Sequence, residues 1–486
     1  MAAIQGTAVI RATAATRAMD IITATIMGIM DIMGIMAIRD TATDITVIET
    51  TNEDIRGGFS SYILKFKKIK YDKQKKLMQG DDYMRSVGIV AEYNPFHNGH
   101  YFHLNQSKEV SESEVAIVAM SGNFLQRGEP AIVSKWTRTK MALLAGADII
   151  VEIPYAFAVQ KAEIFAFGSV YLLDALKCSS ICFGSESGSI DPFFHTVELL
   201  KEQEEKYNQK IRFYIKQGVS YPKALALAYA ELEKNKDSVD LSRPNNILGY
   251  HYISAADKLN SNMQFFTVKR NTAEHDDETI HDDQIASATS IRKLIKEEGN
   301  LNRIRPYVPE STFTEMDGYY HTYGHFHDWE DYWPYLQYRL ATMGEAELNQ
   351  MYDIEEGLPY RLQKAAQTAE SFQSFMEMAK TKRYTWTRLQ RICVHALTNT
   401  SRADIHSAGE APGYIRLLGM SAKGREYLNK VKKDLSLPLV STISSFPQDM
   451  LALDRKAALV YSQALKEPAR KDLLSLEYAQ PPIMAD

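Results

Sequence analysis

The first 56 residues contain no leucine, lysine, serine, proline, phenylalanine, tyrosine or tryptophan. Without them the segment has neither the aromatic anchors of a packed core nor the usual turn formers, and isoleucine, threonine, alanine and methionine fill the space. Within it, residues 26–38, IMGIMDIMGIMAI, repeat nearly every three positions, a period that suits neither a helix nor a strand. Residues 21–38 are apolar enough to raise a membrane span, but Asp31 sits at the centre and Asp20 and Arg39 flank the run. A Lys/Arg-rich start and a cleavage site are both missing, so the segment makes a poor signal peptide. Residues 64–76, LKFKKIKYDKQKK, are strongly basic, as a disordered or weakly helical tail would be. The expectation is that residues 1–83 are a spurious or disordered extension and that Met84 is the natural start. A membrane or targeting leader is the rival.

Cysteine is scarce as well. Cys178, Cys182 and Cys393 are too few for a disulfide framework and point to a reducing cytoplasm. Cys182 lies in an apolar run, so the C-x3-C spacing reads as buried core rather than metal. Excess positive charge is also absent. A net charge of −5 over 486 residues excludes a uniformly basic nucleic-acid coat and restricts any such surface to a patch. The length allows two or three domains.

What is present becomes clear from Met84 on. Apolar runs at 86–90, 115–120, 149–153, 180–183 and 265–268 read as buried strands. Helical segments at 101–109, 131–145 and 162–176 fall between them. Alternating strands and helices predict right-handed βαβ units in a Rossmann-like, doubly wound parallel sheet. Such a sheet binds its ligand beyond the carboxyl ends of the strands. The tips at 94–100, 121–123, 184–186 and 269–270 are therefore the places for chemistry.

The first tip reads EYNPFHNGH. Asn94-Pro95 marks a turn, and Gly99 between His97 and His100 opens a helix whose unpaired N–H groups and partial positive charge favour phosphate. Two imidazoles there can donate to phosphate oxygens as charge moves in the transition state. Further on, residues 287–292, SATSIR, place hydroxyls at a helix entry beside Arg292, whose fork suits phosphates. These two motifs resemble the H-x-G-H and I-S-S-T-x-I-R signatures of the nucleotidylyltransferase superfamily.

The wider text is more specific. EYNPFHNGH, SGNFLQRGEPAIVSKWTRTKMAL, AGADIIVEIP, FGSESG, RPNNILGYHYISA and SATSIRKLI together resemble the bacterial tRNA(Met) cytidine acetate ligase family, from residue 84 to about 470. The resemblance implies an enzyme that uses ATP to form acetyl-adenylate and pyrophosphate. It then passes the acetyl group to N4 of the wobble cytidine of elongator tRNA(Met). The implied partners are ATP, acetate and that tRNA, with Mg²⁺ expected beside the triphosphate and no membrane. The family's ATP positions fall here on Ile89, Val90, Ala91, Glu92, Tyr93, Asn94, Pro95, Phe96, His97, Asn98, Gly99, His100, Tyr101 and Phe102. Gly184, Asn245 and Arg270 complete that mapping, with Ser287, Thr289 and Arg292 from the second motif. His97 and His100 are the expected catalytic pair. No nucleophilic side chain is required, since acetate itself attacks, and the site's task is to hold two anions together.

Residues 126–129, QRGE, read as a substrate-facing loop or a solvated one, with Lys135 and Arg138 following on the helix. His321, His325 and His327, like the acidic run at 274–283, have spacing that suits a metal but lie in polar sequence read as solvated loop, so no metal site is expected. Beyond residue 310 the rhythm turns helical, as at 333–340 and 358–378. Residues 376–433 hold twelve Lys/Arg against four Asp/Glu. Lys380, Lys382, Arg383, Arg388 and Arg391 surround Tyr384 and Trp386, a pattern that can grip phosphates and stack unpaired bases. Arg416, Lys423 and Arg425 are further backbone candidates. The expected division is 84–310 for ATP and acetate and 311–486 for a helical tRNA-binding region. Two other readings stay open: an adenylyltransferase acting on a small cofactor precursor, and a non-enzymatic RNA-binding module.

Overall fold

The computed structural model describes residues 84–232, 239–270, 286–355 and 357–485, with two short paired strands at 37–40 and 44–47. Most of the 21–38 run, the basic 64–76 stretch and the acidic 274–283 run lie outside the described residues.

Five strands follow the expected positions: β1 (Ser86–Ala91), β2 (Val115–Ser121), β3 (Ile149–Ile153), β4 (Ser180–Ser185) and β5 (Gln264–Lys269). Between them run α1 (Asn98–Val110), α2 (Lys135–Leu144), α3 (Ala162–Ala175) and α4 (Pro244–Lys258). The second motif opens α5 (Ala288–Glu298). Later come α6 (Trp329–Thr342), α7 (Trp386–Leu397) and α8 (Ala469–Ala479).

The C-terminal part is mostly helical, but it also returns three strands to the sheet. These are β6 (Ile415–Ser421), β7 (Leu439–Val440) and β8 (Ile483–Ala485). The order is β8-β6-β3-β2-β1-β4-β5, with β7 beside β6. All neighbours are parallel except β6, which runs antiparallel to β3. Residues 84–486 thus form one unit, and both halves of the chain share its sheet.

The two-residue period of a strand explains the layering. Val115, Ile117 and Ala119 of β2 face a core shared with α3 and α4. Ala116, Val118 and Met120 face the opposite core, with Phe96, Trp136 and Met141. A strand covered on both faces loses its polar alternation, hence the unbroken VAIVAM. A third core, around Trp333, Leu336, Leu362, Phe375 and Leu389, belongs to the C-terminal helices.

Two expected helices differ. Residues 131–134 are not helical; Ser134 instead caps α2 by accepting the Thr137 N–H at 3.2 Å. The 358–378 segment breaks into Leu358–Thr368 and Phe372–Ala379, because Ser371 starts a new capping box.

One irregularity positions the site. β1 pairs with β2 over six residues but with β4 only at Val87 and Gly88. The strands part toward their carboxyl ends, where the strand order reverses. That crevice is the topological switch point of the sheet.

Candidate active site

The first motif enters the crevice directly from β1. His97 is the N-cap of α1, and its Nδ1 accepts the Gly99 N–H at 3.1 Å. His100 reaches back so that its Nδ1 accepts the His97 N–H at 3.3 Å. The rings stack at 3.7 Å. Since a backbone N–H only donates, both Nδ1 atoms are acceptors, which puts the proton of each neutral ring on Nε2. Two Nε2–H donors are thereby aimed by a capping box built from histidines. Gly99 is needed because a Cβ there would stand 2.9 Å from His97 Cε1. Tyr93, in the left-handed region at φ 50°, closes the back of the pair with its ring 4.9 Å from His100.

The tips of β4 and β5 supply a second patch. Arg270 Nη1 donates to Asn245 Oδ1 at 3.0 Å, and Asn245 Nδ2 donates to Glu186 Oε1 at 2.8 Å. A Cβ on Gly184 would lie 3.2 Å from Arg270 Cγ, so glycine leaves room for the arginine to cross. Gly184, Asn245 and Arg270 are therefore neighbours although 86 positions of chain separate the first from the last.

His103, one turn beyond His100, joins this patch and was not singled out from sequence. Burial, and then Arg270, hold its imidazole down at about 4, so it stays neutral. Its Nε2 is buried without a hydrogen-bond partner, as is Glu186 Oε2. The i, i+3 spacing after His100 is the signal that would have found it.

In the second motif Ser287 caps α5, accepting the Ser290 N–H at 3.0 Å. The helix therefore starts at Ala288, within the motif rather than after it, and Thr289 and Arg292 lie in its first turns. Arg292 donates through Nη1 to the Asn94 carbonyl at 2.9 Å and through Nη2 to Glu129 Oε2 at 2.9 Å. The fork expected for phosphate thus also grips the turn of the first motif.

Residues 124–130 form the loop that fills the space between the motifs. Gln126 N–H donates to Glu92 Oε1 at 2.8 Å, and Asn94 Oδ1 accepts the Ile132 N–H at 2.7 Å. Gly128, at φ 80°, lies so close to α7 that a Cβ would stand 2.3 Å from the Arg391 nitrogen. Trp329 Nε1 donates to the Gly128 carbonyl at 3.0 Å. This loop is half-buried rather than solvated, and it joins the motif to the C-terminal helices.

Arg138 and Lys135 are both fully buried rather than presented to a substrate. Arg138 donates to the carbonyls of Glu92 (2.7 Å), Ser121 (3.0 Å) and Gly122, tying the tips of β1 and β2 together. Burial holds its guanidinium down to about 10, still charged at neutral pH. Lys135 lies 2.7 Å from Glu152 and 2.8 Å from Glu477, and Arg416 lies 2.7 Å from Glu477. Arg416 is 3% exposed, so it cannot reach an RNA backbone as the sequence suggested.

The basic cluster at 380–391 divides in two. Lys380, Lys382 and Arg383 are exposed at the approach to α7. Arg388 pairs with Glu355 at 2.7 Å and Asp353 at 3.2 Å, and Arg391 with Asp353 at 3.7 Å, their side chains only 20% and 12% exposed. Tyr384 is buried beneath Arg383 and Arg388, and Trp386 is partly buried with Lys380 at 5.9 Å from its ring. Of the histidines read as solvated, His321 is exposed, His325 pairs with Asp331 at 2.8 Å, and His327 is buried between the hydroxyls of Tyr319 and Tyr332. The three cysteines are buried thiols.

Residues 84–475 match the family model described as HIGH Nucleotidyl Transferase. The chain is 51% identical to a tRNA(Met) cytidine acetate ligase of Bacillus licheniformis, an alignment covering 83% of this chain and 98% of that one. It is 48% identical to the protein of the same name from a Geobacillus species, covering 82% and 100%. Among solved structures it superimposes on Thermotoga maritima TmcAL with a TM-score of 0.76 at 32% identity, over 82% of this chain and 99% of that one. A second crystal form of that protein, bound with alpha-thio ATP, gives 0.74. With the paired histidines at the switch point and similarity running over the whole of 84–475, the chain belongs to the tRNA(Met) cytidine acetate ligase family of HIGH nucleotidyltransferases.

Proposed function

We propose that the protein is an ATP-dependent ligase that joins acetate to N4 of the wobble cytidine of elongator tRNA(Met) through acetyl-adenylate. The observation that carries this reading is the stacked His97–His100 pair, with both Nδ1 atoms fixed by backbone N–H groups. Acetate oxygen attacks the α-phosphorus, and pyrophosphate leaves. Negative charge gathers on the phosphoryl oxygens as it does so, and the Nε2–H groups and the N-terminus of α1 are donors suited to it. Arg270 and Arg292 supply the cations that let a carboxylate approach a phosphate. Asn245, held by Arg270 and Glu186, suits an adenine or ribose edge.

Mg²⁺ fits as a companion of the nucleotide rather than as a resident ion. The nearby carboxylates Glu92 and Glu129 already have protein partners in Gln126 and Arg292, which leaves, among the described residues, the free Oε2 of Glu186 as the one protein oxygen in the patch suited to it. Phosphate oxygens and water would supply most of its ligands.

Residues 84–310 hold ATP and acetate in this reading, and 311–486 meet the tRNA while completing the sheet. Lys380, Lys382 and Arg383 are the exposed cations for the RNA backbone, whereas Arg388 and Arg391 act by shaping the surface beneath them. Buried thiols suit a cytoplasmic enzyme, and no helix among the described residues is long and apolar enough to cross a membrane. The small-molecule adenylyltransferase and the RNA-binding module both leave part of this arrangement without a purpose.

The deciding experiment incubates the protein with ATP, Mg²⁺, radiolabelled acetate and bulk bacterial tRNA. Label recovered as N4-acetylcytidine is the expected result. Pyrophosphate release without labelled tRNA would reject the acceptor, and no acetate-dependent pyrophosphate would reject the ligase.

A further inference from the structure

Glu92 is a carboxylate in a site that must hold a triphosphate and a second carboxylate. Coulomb repulsion from both makes it an unsuitable contact for either. Yet it is held firmly, at the very tip of β1. Its Oε1 accepts the Gln126 N–H at 2.8 Å, and its carbonyl accepts from the buried Arg138 at 2.7 Å. Burial, with Glu129 adding to it, keeps its carboxyl above the usual carboxylate range, while the Gln126 N–H and the cations Arg127 and Arg292 pull the other way.

Its surroundings suggest a different substrate. The loop that clamps Glu92 is the one whose Gly128 rests on the backbone of α7. Glu92 therefore stands where the nucleotide motif meets α7, the helix that follows the exposed cations Lys380, Lys382 and Arg383. An exocyclic amine of cytosine is a donor that Asp and Glu accept. That same amine must shed a proton when it is acylated.

We propose that Glu92 meets the acceptor cytidine, accepting a hydrogen bond from its exocyclic amine and taking the proton as the C–N bond forms. This rests on the function proposed above. The nitrogen attacks the acetyl carbonyl carbon, and the bond from that carbon to the phosphate-linked oxygen breaks. AMP leaves with the electron pair, and the amine proton passes to the Glu92 carboxylate, which later returns it to water. No further reactant is needed.

The test uses the full chain with Glu92→Gln and Glu92→Asp. Three rates are read: acetate-dependent ATP–pyrophosphate exchange, single-turnover transfer from enzyme-bound acetyl-adenylate to tRNA, and formation of acetyl hydroxamate when hydroxylamine replaces RNA. Hydroxylamine is nucleophilic without a base. Glu92→Gln should slow transfer to tRNA by about 10²–10⁴-fold, the range of a positioned base, while exchange and hydroxamate formation fall far less. Glu92→Asp should recover part of the transfer rate. Transfer by the wild type should drop as the pH falls through the titration of Glu92, and that limb should vanish in Glu92→Gln. If exchange, transfer and hydroxamate formation all fall together in both variants, Glu92 serves ATP and only this role is overturned. A wild type that forms acetyl-adenylate but labels no RNA overturns the acceptor reading and this role with it.

Discussion

Arg292 donates a hydrogen bond to the carbonyl of Asn94 at 2.9 Å, so the arginine of the second motif holds the turn of the first. Two segments nearly 200 residues apart are thus one mechanical object. Lysine cannot reproduce this grip, because a single ammonium lacks the planar fork that reaches both Asn94 and Glu129. Arg292→Lys should raise the KM for ATP about tenfold in the exchange assay, a loss of about 1.4 kcal/mol in binding. An unchanged KM would show that the arginine is purely a brace.

His100→Ala removes one Nε2–H and also the acceptor for the His97 N–H. Exchange should fall by about 10²–10³-fold, as for a lost oxyanion donor. Affinity for tRNA, measured by filter binding, should stay close to wild type. Normal acetyl-adenylate production by this variant would remove the histidine pair from the chemistry.

The basic cluster gives a paired prediction. Charge reversal at Arg388 and Arg391 puts carboxylates against Asp353 and Glu355 and should cost about 3 kcal/mol or more in stability, read as a lower melting temperature. Reversal at the exposed Lys380 and Lys382 should leave melting unchanged and weaken tRNA binding. The slope of log affinity against log salt should shrink by about 2. If both double variants affect melting alone, the RNA surface lies elsewhere.

Asp454 gives a pH signature. Burial, with Glu152 nearby, pushes its carboxyl up to about 6, and it accepts the Tyr155 N–H at 2.8 Å. The folded chain favours the protonated form. Its contribution to stability is complete below the ordinary carboxylate pKa of about 3.9 and is lost as pH rises through about 6. Asparagine keeps the acceptor without the charge, so between pH 5 and 7 the melting temperature of Asp454→Asn should decline less than that of wild type. Parallel curves would mean that Asp454 is ionised throughout.

A chain beginning at Met84 should make as much N4-acetylcytidine per mole as the full chain. The family match starts at residue 84, and all strands of the main sheet lie beyond it. A large loss on removing residues 1–83 would assign them a working role.

The sheet and its tips were legible because buried parallel strands leave unbroken apolar runs and phosphate sites leave glycine beside turn residues. β6 was less so. Its sequence, IRLLGMS, is an apolar run isolated among helices, and nothing local says that it will pair antiparallel with β3. The pairing of Arg388 and Arg391 was hidden for a related reason: Asp353 and Glu355, which neutralise them, lie more than 30 positions earlier. Arg416 read as an RNA-backbone contact, and the burial of Lys135 and Arg138 was hidden too, since a sequence shows charge but not the carboxylates and carbonyls that will enclose it. His103 was visible in principle, three residues past the motif.

The buried group of Lys135, Glu152, Arg416 and Glu477 joins residues early in the sheet to residues near its end, and Glu477 belongs to α8, the last helix among the described residues. A ribosome that has not yet reached Glu477 has produced Lys135 and Arg416 without one of the two carboxylates that both touch. Such a nascent polypeptide carries every nucleotide motif but has an electrically unfinished interior beside the tips that hold them. Completion of the residues that carry the nucleotide motifs therefore does not by itself complete the interior beneath them.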